Sequence, residues 1–158
     1  MTERLHRQDP YLLEFDAVVR ARREHDGRPA VVLDRTAFYA ESGGQPWDLG
    51  TLGEAQVLAV VEDGAEVLHV LDRPIVGERV HGRVDGARRR DHMQQHHGQH
   101  LLSKAFVDVA QAATVAFHLG GEDTTIDLDR FVSEEQARAA EALVNSVVWE
   151  ARPVRVES

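Results

Sequence analysis

The 158-residue sequence contains no cysteine. No disulfide framework is open to it, nothing in it points to an oxidising compartment, and no thiolate metal ligand can come from this chain. Long apolar runs are missing too, since no stretch approaches the roughly 20 residues needed to cross a bilayer. The opening MTERLHRQDP has neither a hydrophobic leader nor an amphipathic Arg/Ser presequence. A soluble, cytoplasmic protein with no membrane partner is expected. Positive charge is scarce: 18 Lys and Arg stand against 27 Asp and Glu, a net charge of -9. That balance excludes a generic basic coat for nucleic acid, so any RNA contact must be local. Internal repeats and low-complexity segments are also absent.

A hydrophobic content of 42% is enough to bury a core. Between Tyr11 and Val84, the runs LLEFDAVVRA, AVVLDRTAFYA, EAQVLAVV, AEVLHVL and ERVHGRV read as short strands separated by turns. Asp26-Gly27 and Asp63-Gly64 are hairpin signals, because both dipeptides tolerate the positive φ that tight turns need. Roughly six strands in about 75 residues predict a small antiparallel barrel or sandwich.

The pattern changes at Asp85-Gly86. Arg88, Arg89 and Arg90 open a run in which Leu102, Ala105, Phe106 and Val109 recur at helical spacing, to about Ala110. Two domains are expected, 1–86 and 87–158. TTIDLDR, 124–130, reads as a strand. A second helix is expected from Ser133, where Gln136 can complete a capping box, through Ala137, Ala140, Leu143, Val144, Val147 and Val148. Arg152-Pro153 ends it. The VRVES that follows begins like a strand and stops, so the second domain is expected to be C-terminally incomplete. The fold class is α+β, and an unpaired sheet edge with an uncovered apolar face predicts a homodimer or aggregation.

The chemistry concentrates in HHGQHLL, 96–102. On a helix, His96 and His100 lie about 40° apart in projection on one face, His92 extends the stripe by a turn, and His97 is rotated by about 100°. Such an i,i+4 pair can present two imidazole nitrogens to one zinc ion at roughly 2.0–2.1 Å. With nine histidines in the chain, a solvated helix face could carry the same spacing. Zinc needs three protein ligands plus water for catalysis, or four for a structural site, so two imidazoles do not complete one. His92, or a carboxylate such as Asp127, could contribute a third.

TAFYAESGGQPWDLG, 36–50, resembles the glycine-bearing signature ahead of the editing domain of alanyl-tRNA synthetases, and HMQQHHGQHLLSKAF, 92–106, resembles that domain's HxxxH helix. FHLGGEDTTIDLD, 117–129, and VVWEARPV, 147–154, are similar to family segments in the same order. The sequence thus resembles the AlaX family, free-standing relatives of that editing domain, of the type with an added N-terminal barrel. This implies an N-terminal antiparallel β-barrel and an editing-type domain with two long helices packed on an antiparallel sheet. It implies His96 and His100 as zinc ligands, with His97 where the family often has threonine. Two further ligands belong to a later CxxxH motif that this sequence does not contain, leaving the zinc site half complete. The implied reaction is ester hydrolysis on mischarged alanine tRNA, releasing serine or glycine.

For that chemistry, His118 and Glu122 in FHLGGED are the polar candidates for assisting, although His118 beside Phe117 reads equally well as a buried, hydrogen-bonded histidine. Gly43 and Gly44 either let a ligand approach the backbone or serve a turn needing positive φ. The resemblance favours a loop near the substrate made by Glu41, Ser42, Gly43, Gly44 and Gln45. It lacks the GK[ST] of a P-loop, so ATP binding has no support. Arg83, Arg88, Arg89 and Arg90 form the best patch for tRNA phosphates, against the plainer reading of a solvated helix start. Positive charge in a first turn opposes the helix dipole, which favours an external partner. The alternative function is a non-catalytic tRNA-binding or interaction module.

Overall fold

A computed structural model describes residues 1–120 and 123–154. The chain is α+β and divides into two units, Met1–His92 and Met93–Ser158. The first holds β1 (Glu3–Arg4), β2 (Glu14–His25), β3 (Arg28–Leu33), β4 (Arg35–Thr36), β5 (Gly50–Leu52), β6 (Ala55–Asp63), β7 (Glu66–Leu71) and β8 (Arg79–Val84). Six of these form an antiparallel sheet in the order β2-β3-β7-β6-β5-β8, and β8 pairs back onto β2, so the run of pairings closes on itself. β1 and β4 make a short parallel pair beside it.

Alternation builds this core. Along β8, Val80, Gly82 and Val84 are buried while Arg79, His81 and Arg83 are exposed, as a period of two requires. The inward residues meet Phe15, Val31, Leu33, Phe38, Leu52, Val60 and Leu71. Gly82 is glycine for want of room: a Cβ there would lie 2.4 Å from the Phe15 ring. Asp26 and Gly27, with φ of 49° and 74°, turn β2 into β3, the double positive φ of a two-residue I′ turn.

The core also encloses an imidazole. His69 Nε2 lies 2.8 Å from Thr36 Oγ1, which accepts from the Phe38 N–H at 3.1 Å, and His69 Nδ1 lies 3.3 Å from the Val31 carbonyl. These partners suit a neutral ring that donates from Nδ1 and accepts at Nε2. Burial pushes its pKa down to about 4. In the unfolded chain histidine titrates near 6.5. Between those values the unfolded state binds a proton that the folded state refuses, so the stabilisation is complete above about pH 6.5 and is lost as pH falls toward about 4. The loss from this ring is about 3 kcal/mol. Urea midpoints at pH 7 and pH 4.5 should show it, and His69→Gln should remove this ring's share of the dependence. An unchanged slope in that variant would assign the acid sensitivity elsewhere.

The second unit takes most of α1 (Gly86–Ala110), then β9 (Thr114–Leu119), β10 (Thr124–Leu128) and α2 (Glu134–Trp149). The division falls inside α1, after His92, rather than at its start. Asp85 caps the helix by accepting from Ala87 N–H and Arg88 N–H at 3.0 and 3.1 Å, and the first turns root their side chains in the first unit. α2 begins as its sequence predicts: Gln136 N–H donates to Ser133 Oγ at 3.2 Å and Ser133 N–H to Gln136 Oε1 at 3.0 Å. Glu134 and Glu135 stand in its first turn, where the dipole favours them. Ala105, Phe106, Ala112 and Ala140 form the centre of this unit, with Leu102, Val109, Ile126, Leu128 and Val144 around them. β9 and β10 pair antiparallel as a two-stranded sheet. Among the described residues, no helix is long and apolar enough to cross a membrane.

Candidate functional site

His96 and His100 occupy successive turns of α1 within the second unit. Their Nε2 atoms are 3.0 Å apart, with ring centroids 4.8 Å apart and planes tilted by 40°. Two nitrogens on one tetrahedral zinc, each at roughly 2.0–2.1 Å, stand about 3.3–3.4 Å apart. The 3.0 Å separation is that of an imidazole–imidazole hydrogen bond, a few tenths of an ångström short of the zinc-bound spacing. Phe117 of β9 meets the His96 ring edge-on, centroids 5.6 Å apart, at 73°. Burial, followed by the neighbouring His100 and His97, holds the His96 pKa below the ordinary histidine value. The ring is then neutral at pH 7, the form that ligates a metal.

Among the described residues, no group of three or more His, Cys, Asp or Glu side chains is placed to hold one ion. His97 is exposed. His92 is 5% exposed and its Nδ1 is buried without a hydrogen-bond partner. Asp127 is exposed on β10, next to Ile126, which packs into the core. His118 follows Phe117 along β9, so strand alternation turns it to the opposite face. It is exposed, across from Thr125, neither buried nor beside the imidazole pair. Glu122 lies outside the described residues.

The Glu41–Gln45 segment is a tight hairpin turn in the first unit. Ser42 and Gln45 exchange both backbone hydrogen bonds, at 3.2 and 3.0 Å, around Gly43 and Gly44 with φ of 57° and 82°. Positive φ is what glycine supplies here; a Cβ on Gly43 would touch nothing within 4 Å. Gln45 is buried, whereas Glu41, Ser42, Gly43 and Gly44 are exposed and available to a ligand. The Tyr39 hydroxyl braces the turn by donating to the Ser42 carbonyl at 3.0 Å.

The expected arginine patch needs one correction. Arg89 is 4% exposed and Asp48 is fully buried, and they form an ion pair at 2.6 Å. The same guanidinium donates to the Ala37 carbonyl at 2.6 Å and the Pro10 carbonyl at 2.7 Å, while Asp48 also accepts from Tyr39 N–H at 2.6 Å. Arg89 is thus an internal strut and is not available to phosphate. Arg88 is half-buried, its Nε donating to the Trp47 carbonyl at 3.1 Å. Arg83 pairs with Glu14 at 2.7 Å in the open, and Arg90 is exposed. The accessible cations of the patch are Arg83, Arg90 and part of Arg88. The sign missed in the sequence was Asp48, an acid set among Trp47 and Leu49, where a buried cation partner is needed.

Residues 12–88 match the family described as tRNA synthetases class II (A). The chain is 39% identical to the alanine–tRNA ligase of Pyrococcus furiosus over 167 aligned positions, covering 99% of this chain and 18% of that protein. It is 36% identical to the alanyl-tRNA editing protein AlaX-L of Pyrococcus horikoshii, covering 99% of this chain and 41% of that protein. The alanyl-tRNA editing protein Aarsd1 of Bos taurus is 41% identical over 80% of this chain and 29% of its own length. The chain spans less than half the length of each of these relatives.

Proposed function

Because this chain belongs to the family that unites alanyl-tRNA synthetases with AlaX-type alanyl-tRNA editing proteins, we propose that it serves the editing of mischarged alanine tRNA. The reaction is hydrolysis of the aminoacyl ester, releasing serine or glycine, at a zinc-dependent site in the cytoplasm. The convergence of the His96 and His100 Nε2 atoms, 3.0 Å apart, carries this reading. These two imidazoles would hold the ion, with its other ligands coming from beyond the described residues. When bound, zinc would supply a Lewis acid or a water of lowered pKa. In the first unit, the exposed Glu41–Gly44 turn and the side chains of Arg83, Arg90 and Arg88 would contact the tRNA, the arginines at its phosphates. With so few cations, affinity should fall only a few-fold per doubling of salt.

The complete protein should carry stoichiometric zinc by elemental analysis and release serine from mischarged alanine tRNA. Chelation should stop release and added zinc restore it; deacylation indifferent to chelation would refute the metal's part. One observation favours a second reading: the missing third ligand among the described residues. A non-catalytic tRNA-binding or interaction module predicts little zinc and no hydrolysis above background. Self-association is a further expectation, since Phe131 is 90% and Trp149 is 88% exposed in the second unit. Light scattering should find dimers or larger species, and a clean monomer at all concentrations would count against it.

A further inference from the structure

In the first unit, Tyr39 stands before the Gly43-Gly44 turn and helps to wall a surface pocket of about 200 Å³, with His6, Arg7, Ala40, Ser42 and Glu62 around it. The Tyr39 and His6 rings meet edge-to-face, centroids 5.6 Å apart at 66°, so each fixes the other. Burial, and then the charge of Arg89, push the His6 pKa down to about 4, so at neutral pH it is an uncharged heterocycle. Its Nδ1 is buried without a partner. Arg4 holds one oxygen of Glu62 at 3.0 Å, which aims the carboxylate and leaves Oε2 as a pure acceptor. The Tyr39 hydroxyl is occupied by the Ser42 carbonyl. The Ser42 side chain and the exposed guanidinium of Arg7 complete the polar surface.

A fitting occupant needs a flat π surface, an amine donor for Glu62 and an anionic group for Arg7. An unpaired cytosine nucleotide has all three: its exocyclic amine donates to a carboxylate, which the carbonyl of uracil at the same position cannot do. Unstacked bases lodge on aromatic side chains in this way in single-stranded RNA sites. A zwitterionic amino acid would match the two charges and leave the rings unused. We infer that this pocket binds an unpaired cytidine of RNA, with the base against Tyr39, its amine on Glu62 and its phosphate on Arg7. The choice of RNA as the source rests on the tRNA reading above.

The test is binding to the full chain, followed by amide chemical shifts. Cytidine 5′-monophosphate should perturb Tyr39, Ser42 and Glu62, and bind about tenfold more tightly than uridine 5′-monophosphate. A cytidine trinucleotide should bind more tightly still. Glu62→Gln, whose amide can donate to uracil, should erase or invert the preference, and Arg7→Ala should make cytidine and its monophosphate equivalent. Equal affinity for the two monophosphates, shifts confined elsewhere, a response to free serine alone, or a monophosphate that outbinds the trinucleotide would each overturn the inference. No hydrolysis is read, so a complete protein that fails to deacylate would count against the proposed function and leave this result standing.

Discussion

Zinc affinity in the complete protein is expected to fall by more than about 100-fold on His96→Ala, with serine release lost in parallel. Removing a partner that merely orients a metal ligand typically costs 10–100-fold in affinity, and deleting the ligand itself must exceed that. His100→Ala should behave alike, because the two Nε2 atoms, 3.0 Å apart, serve one point. The double variant should be little worse than either single one, as groups acting as a unit are not additive. Unfolding is not the cause to expect, since alanine favours a helix more than histidine does, and circular dichroism can confirm that. His97→Ala is the control: its ring is exposed and about 100° around the helix. Competitive zinc titration decides the matter. Full affinity in either single variant, or an equal loss in His97→Ala, would remove the imidazole pair from the site.

What was legible in the sequence was whatever short-range periodicity governs. The i,i+4 spacing brought His96 and His100 together because a helix leaves no choice. Ser133 and Gln136 announced their capping box for the same reason, and the alternation in ERVHGRV became the buried and exposed faces of β8. The turn after β6 was displaced by a residue: Asp63 ends the strand, and Gly64, φ 60°, occupies the first loop position. What could not be read was set by partners distant in the chain. Three consecutive arginines look alike in sequence, yet only the middle one faces Asp48, and that sorting depends on the loop carrying Trp47 and Asp48. The same contact explains the domain limit, since Arg88 and Arg89 bind first-unit groups and carry the opening turns of α1 with them. His118 was open to two readings, buried or catalytic; the strand face that Phe117 claims leaves it in solvent.

Asp48→Ala should be the most damaging substitution to stability, at about 3–5 kcal/mol, the usual consequence of leaving one member of a buried ion pair without the other. Against a total of about 5–15 kcal/mol for a typical domain, that is enough to unfold much of the first unit at moderate temperature. Two effects add. The Arg89 guanidinium, 4% exposed, keeps its charge but retains only the Ala37 and Pro10 carbonyls, and Tyr39 N–H loses its acceptor. Asp48→Asn should be milder, because an amide oxygen can still accept from both donors. Asp48→Ala combined with Arg89→Met should recover part of the loss, since removing a buried pair together is less costly than breaking it. Recovery must stay partial, because the Ala37 and Pro10 carbonyls then lack a donor. Urea denaturation followed by tryptophan fluorescence gives the cycle. If Asp48→Ala costs under about 1 kcal/mol, the range of an exposed pair, then the carboxylate is reached by water and Arg89 is free to leave its place for phosphate.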